Sequence, residues 1–357
     1  MRWTRNCEIW LPEFVRDRIR AARRKPAKRV WLAITDHYEP LWNGASEETA
    51  KERVALWQRE WPAVASGFRD AAGRMPVYSF FYAEEEYRPH LLEPLARMTR
   101  DGIGDVEVHL HHDGEGEQNF VDRIGAFTET LHARHGLLRQ HDGQTVFGFI
   151  HGNWALDNSR PDGRRCGLNN ELTLLKRLGC YADFTLPSAP EPTQTSTVNT
   201  IYWAVDDPER PKSHDTGAPV ERFPAEPEGA LLMVPGPLGI RCGLLGTGDR
   251  LFPRFEIGEL ASYDAPTRRR ARLWIGLAPR IGDDVFIKLY THGTQERHSE
   301  MLFGGGLRSL FQEMASVTRE NGQDLYFASA WHIRQAVDAL RLGHDPAAIF
   351  ERAPANR

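Results

Sequence analysis

Cysteine is scarce in this chain, and the few cysteines stand alone. Cys7, Cys166, Cys180 and Cys242 are far apart and include no CxxC pair. That excludes a thiolate zinc knuckle and a dense disulfide framework, and it suits a reducing compartment. Long apolar runs are also missing, none approaching the ~18 residues of a membrane-spanning helix. The opening MRWTRNCEIWLPEF lacks the continuous apolar core of a secretory signal, so a cytoplasmic protein is expected. Charge of one sign is not in excess either. A formal net charge of -4 over 357 residues gives no reason to expect nucleic acid as a partner. There is no internal repeat and no low-complexity tract. With 41% hydrophobic and 26% charged residues the composition is that of a soluble globular protein, and the length suffices for two ordinary domains or one barrel with insertions.

What is present is a concentration of histidine at strand ends. In VEVHLHHDGE, residues 106–115, His109, His111 and His112 follow an apolar alternation, and Asp113 and Glu115 come directly after. Alternate side chains of a strand share a face, so His109 and His111 point the same way and are placed to share a cation. Imidazole suits Zn²⁺, Ni²⁺, Fe²⁺ or Co²⁺. Two more apolar runs end likewise: RVWLAITDHYEP in Asp36 and His37, and DDVFIKLYTHG in His292. Strand ends are where a parallel α/β fold assembles its chemistry, and three of them offering the same residue types point to one metal-dependent site.

Between these runs the chain alternates. A basic segment, residues 1–28, is expected to be helical up to Pro26 and solvated, with peripheral contact to an anionic surface as its other use. Helices are predicted over residues 46–72, with Pro62 as an interruption, and in HLLEPLARMTRDG, NFVDRIGAFTETLHARHG, NNELTLLKRLG, RRRARLWIGLAP, residues 307–321 and WHIRQAVDALRLG. Strands are predicted at MPVYSFFYA, TVFGFIHGNWALDNS and CYADFTLPSAP. The βαβα order predicts α/β architecture, a parallel barrel or a doubly wound sheet. Residues 190–267, rich in Pro, Thr and Gly, break the alternation and read as a β-rich insertion covering the site. The core domain is then 29–345, with a tail at 346–357.

The order of these motifs resembles that of the polysaccharide deacetylase superfamily, the NodB-like carbohydrate esterases, whose domain is a deformed (β/α) parallel barrel. The resemblance covers residues 29–335 apart from the insertion. It sets Asp36 at the place of the general base and His37 at that of a metal ligand, where the family has paired aspartates. VEVHLHHDGE takes the place of the paired histidine ligands, with His109 and His111, or His111 with His112 or Glu115, filling it. His151, Asn153 and Trp154 stand in the groove-lining motif, without its arginine. Asp183 and Ser188 stand in the acidic strand-end motif, and His292 at the place of the general acid. The resemblance implies a divalent metal, zinc first, and hydrolysis of an acyl group, N-acetyl foremost, on a sugar or polysaccharide precursor. Asp36 would take a proton from the attacking water and His292 would protonate the departing amine. Trp154, Tyr202 and Trp203 offer faces for stacking on sugar rings. The rival readings are a glycosidase, for which Asp113, Glu115, Asp157 or Asp183 would have to supply a carboxylate pair, and a non-catalytic carbohydrate-binding protein on a decayed scaffold.

Overall fold

Apolar runs closed by polar turns, with amphipathic stretches between them, form a mixed α/β fold around a largely parallel sheet in the computed structural model, which describes residues 5–242 and 253–351. The strands in chain order are β1 (Arg29–Tyr38), β2 (Tyr78–Ala83), β3 (Gly104–Leu110), β4 (Arg139–His141), β5 (Gln144–His151), β6 (Cys180–Asp183), β7 (Tyr202–Ala204), β8 (Ala218–Pro219), β9 (Leu231–Met233), β10 (Gly239–Arg241), β11 (Arg254–Glu256), β12 (Arg280–Ile281), β13 (Asp284–Thr291) and β14 (Asp324–Phe327). The helices are α1 (Cys7–Ala21), α2 (Glu47–Ala65), α3 (Pro89–Arg100), α4 (Glu117–Glu129), α5 (Glu171–Arg177), α6 (Arg268–Leu277), α7 (Glu296–Met301), α8 (Leu307–Glu320) and α9 (Ala330–Arg341).

β13, β1, β2, β3, β5, β6 and β9 lie side by side in that order, all parallel. β14 adds in parallel to the amino half of β1. The sheet does not close on itself: among the described residues its ladder runs from β12 to β8 with no pairing between the two ends. Irregular chain and one lysine fill the gap instead. Leu260 N–H donates to Tyr290 O (2.8 Å), and Lys288 Nζ reaches from β13 to the carbonyls of Phe184 (2.8 Å) and Leu186 (2.6 Å) just beyond β6. Within residues 190–267, β9 pairs in parallel with β6 and β7 is antiparallel to β9, so both extend the sheet; among the described residues β10 and β11 form a separate hairpin.

Strand alternation divides the interior in two. Val30, Leu32, Ile34 and Tyr38 of β1 join the core beneath α2, α3 and α8, while Trp31 and Ala33 face the opposite way and join a second core with Phe81, Ile150, Phe286 and α9. α2 starts at Ser46, whose Oγ accepts from Thr49 N–H (3.2 Å). It runs through Pro62 without breaking, because Trp57 and Trp61 are both fully buried beside it and their packing offsets the lost backbone bond. α1, within the basic segment, docks by one face and keeps the other solvated: Trp10 is fully buried against Phe14 and Phe255 and Asn199 Nδ2 reaches Asp17 (3.4 Å), while Arg16 is exposed. No helix of the described residues is long and apolar enough to cross a membrane.

Trp57 ties the core to the strand ends, since its Nε1–H donates to Gly293 O (3.0 Å), next to His292. Trp57→Phe keeps most of the ring but leaves that buried carbonyl unpaired. A stability loss of about 1–3 kcal/mol is expected by urea unfolding, with an unchanged denaturant slope; wild-type stability would show that the bond holds nothing.

Candidate metal centre

The period-two rule that sends Trp31 and Ala33 to the second core carries on to the end of β1, where His37 and then Glu39 point the same way. Glu39 is the hub. Its Oε1 lies 3.1 Å from His109 Nε2 and 3.6 Å from His111 Nε2, and two donor sets meet at it: His37, Glu39 and His292, and Glu39, His109 and His111. The rings of His37 and His109 are 4.8 Å apart, those of His37 and His292 4.7 Å, and those of His109 and His111 4.8 Å. His109 sits on β3 opposite Ile150 of β5, and its Nδ1 must donate to the Ile150 carbonyl (3.1 Å), which can only accept. With Nδ1 so engaged, Nε2 faces Glu39 Oε1 at 3.1 Å, a contact that either a second ring proton or a shared cation closes. His37 is fully buried, and its Nδ1 has no hydrogen-bond partner. A divalent cation bound among imidazole nitrogens and a carboxylate satisfies both, and these donors are of the type that zinc-class ions take.

Electrostatics agree with this geometry. Burial would raise Glu39, but the bond from His109 and the nearby His109, His292 and His111 hold it below its usual range. Burial drives His37 well below its usual value, helped by His292 and His109, and lowers His292 to about 4. His111 is raised: its bond to Glu85 and the charges of Glu85, Glu39 and Glu86 outweigh burial. Its Nδ1 bonds Glu85 Oε1. Solvent reaches the pocket here, where His111 and Glu85 are 33% and 35% exposed.

Asp36, expected as the base, points to the other face of β1. Gly293 N–H donates to its Oδ1 (2.7 Å) and Tyr78 O–H to its Oδ2 (3.0 Å). Burial raises its carboxyl to about 8. It therefore braces the turn that carries His292 and touches no member of the histidine group. His112 and His151 are also separated from it. They join Cys166 and Glu171 in a second buried group on the other face of the sheet, with His112 Nε2 3.0 Å from Glu171 Oε1. Asn153 Nδ2 donates to His112 O (3.3 Å). Asp183 is buried and accepts from Thr185 N–H (2.9 Å) and O–H (2.7 Å). Trp154 does border the pocket, its ring 5.4 Å from His37 and 5.9 Å from His292. Tyr202 and Trp203 are fully buried core residues, with no face for a sugar. The carboxylates a glycosidase would need are spread out: Asp113 accepts from Arg165 N–H, Glu115 pairs with Arg123, and Asp157 with Ser213.

Sequence reasoning passed over Glu39 and Glu85. Glu39 had a signal, standing two residues after His37 on the same alternation; Glu85 lies in the turn after β2, where no periodicity marks it. No protein-family model matches the chain, and no curated protein matches it.

Gly152 is what lets His111 in: a Cβ there would run into the imidazole. Gly152→Ala should therefore weaken metal binding at this group at least ~10-fold, by the loss of one well-placed donor, with an unchanged circular dichroism spectrum. Chelator competition measures it, and unchanged affinity would remove His111 from the donor set.

Proposed function

We propose that this chain is a metal-dependent hydrolase that removes an acyl group, N-acetyl foremost, from a sugar or polysaccharide precursor, on an α/β scaffold that is an opened relative of the deacetylase-type barrel. The observation that carries the reading is Glu39 surrounded by His37, His109, His111 and His292, gathered at the carboxyl ends of β13, β1 and β3, the last two separated by β2, with a mouth to solvent.

A divalent cation, zinc first, supplies Lewis-acid polarisation and lowers the pKa of a water when bound here. The chain's own residues do the rest. Glu39 brings a negative charge to the centre of the imidazoles, and the Ile150 carbonyl fixes the ring of His109. Glu85, bonded to His111 at the mouth, is the carboxylate placed to move a proton to or from solvent. Asp36 acts at one remove, as a positioning residue that holds Gly293 and so the neighbouring His292. Trp154 offers an apolar wall beside His37 and His292, of the kind a sugar ring packs against.

The test pairs metal analysis with turnover on acetylated amino sugars. Glu39→Gln keeps the size but removes the charge, and His109→Ala removes an imidazole. Each is expected to lose bound metal at this group and to cut turnover by ~10²-fold or more, while the fold is retained. Turnover that survives both substitutions would overturn the mechanism. Bound metal without turnover on any acetylated sugar would favour a non-catalytic binding protein.

A further inference from the structure

The second buried group lies outside the chemistry above, and its composition is unusual for a protein interior. His112, at the end of β3, is 3% exposed, while His151, at the end of β5, Cys166, in the following loop, and Glu171, the first residue of α5, are fully buried. Their donor atoms all lie within 4.8 Å of one another. We propose that His112, His151, Cys166 and Glu171 form a second, structural metal centre for a zinc-class divalent cation, which clamps the 152–170 loop to the sheet.

Three observations carry this. The first is the donor set: two imidazoles, a thiolate and a carboxylate make a closed four-coordinate shell of the structural type, with no position left for substrate. Its two anions balance the charge of a divalent ion, so a neutral complex is buried. The second is an orphaned nitrogen. His151 Nδ1 accepts from Asn153 N–H (3.1 Å), so Nε2 of the neutral ring carries the proton; that buried nitrogen has no partner, its nearest carboxylate oxygen, Glu171 Oε1, being 4.0 Å away. The third is how donors already converge. Glu171 Oε1 faces His112 Nε2 (3.0 Å), and its Oε2 accepts from the Cys166 thiol (3.2 Å) and from Asp157 N–H (2.6 Å). Tetrahedral zinc with bonds of 2.0–2.3 Å needs donors about 3.3–3.8 Å apart, so small rotations suffice.

The proton balance is simple. Binding expels the Cys166 thiol proton to solvent, and each imidazole shifts its proton from Nε2 to Nδ1, which frees Nε2 for the metal. His151 then gives up the bond from Asn153 N–H, so loading reshapes the turn from His151 to Trp154. That turn borders the first pocket, through Gly152 against His111 and Trp154 against His37. The loop has little regular structure, only a short turn at Leu156–Asn158, and holds Trp154, Asp157, Asn158 and Arg165 at positive φ. A loop of that length stays ordered when something fastens it. Without metal, burial and the Glu171 charge raise the Cys166 thiol, and burial lowers His151 to about 3.

Cobalt reads the thiolate directly. Metal-free full-length protein titrated with Co²⁺ should develop a near-ultraviolet thiolate-to-cobalt charge-transfer band, complete by two equivalents because the first group also takes cobalt. The band should persist in His109→Ala, which disables only the first group, and vanish in Cys166→Ser, with loss of one bound equivalent. X-ray absorption of the zinc-loaded His109→Ala protein should show one sulfur at about 2.3 Å, a measurement that needs no folded Cys166 variant. Absence of the band and of the sulfur in folded protein, or a band that survives Cys166→Ser, would overturn the proposal.

Discussion

Side chains leave a strand on its two faces in turn, and the arrangement of this molecule's chemistry depends on that constraint. At the end of β1 it sends His37 to one face and Asp36 to the other. Just past the end of β3, adjacent histidines part company: His111 turns toward Glu39 and Glu85, and His112 toward Glu171 and Phe120. His109, the donor that precedes them, is fixed by the strand pairing itself through the Ile150 carbonyl. One sheet thus carries a half-open histidine pocket on one face and a closed four-donor group on the other.

The two faces also differ in what the surrounding chain asks of them. Among the described residues, Glu39 is the carboxylate that both histidine groupings of the open pocket share, and Glu85 stands nearer its mouth. Burial raises Glu86 to about 7, opposed by the bond from Leu41 N–H and assisted by Glu39 and Glu85. Asp36 works from behind, where its carboxylate, the Gly293 amide and the Trp57 indole link α2, β1 and β13 around one turn. Gly293 admits no Cβ against Asp36 and Trp57, so the turn carrying His292 is held from both sides. In the closed group burial would raise Glu171, but the neighbouring His151 and His112, with the bonds from His112 and from Asp157 N–H, hold it down at about 2.

Much of this was legible from the chain. Short apolar runs gave the central strands, helical spacing of apolar residues gave α2 and α4, and the pairing of His109 with His111 followed from alternation alone. What was not legible came from elsewhere in the chain or from segments too short to carry a period. Glu171 meets His112 across 59 residues, and nothing in the local pattern connects them. β7 and β9 are three residues each, so their place in the sheet is set by pairing, β9 with β6 and β7 with β9, and not by any periodic signal. Treating His112 as a partner of His111 failed because their separation by one residue is the spacing that puts side chains on opposite faces.

The central claim is that two metal centres lie back to back across one sheet. Anomalous diffraction at the zinc edge from crystals grown with zinc tests it most directly. One peak among Glu39, His109 and their neighbouring imidazoles and a second among His112, His151, Cys166 and Glu171 are expected, both at full occupancy. Fully ordered side chains in both groups with no anomalous peak at either would contradict it.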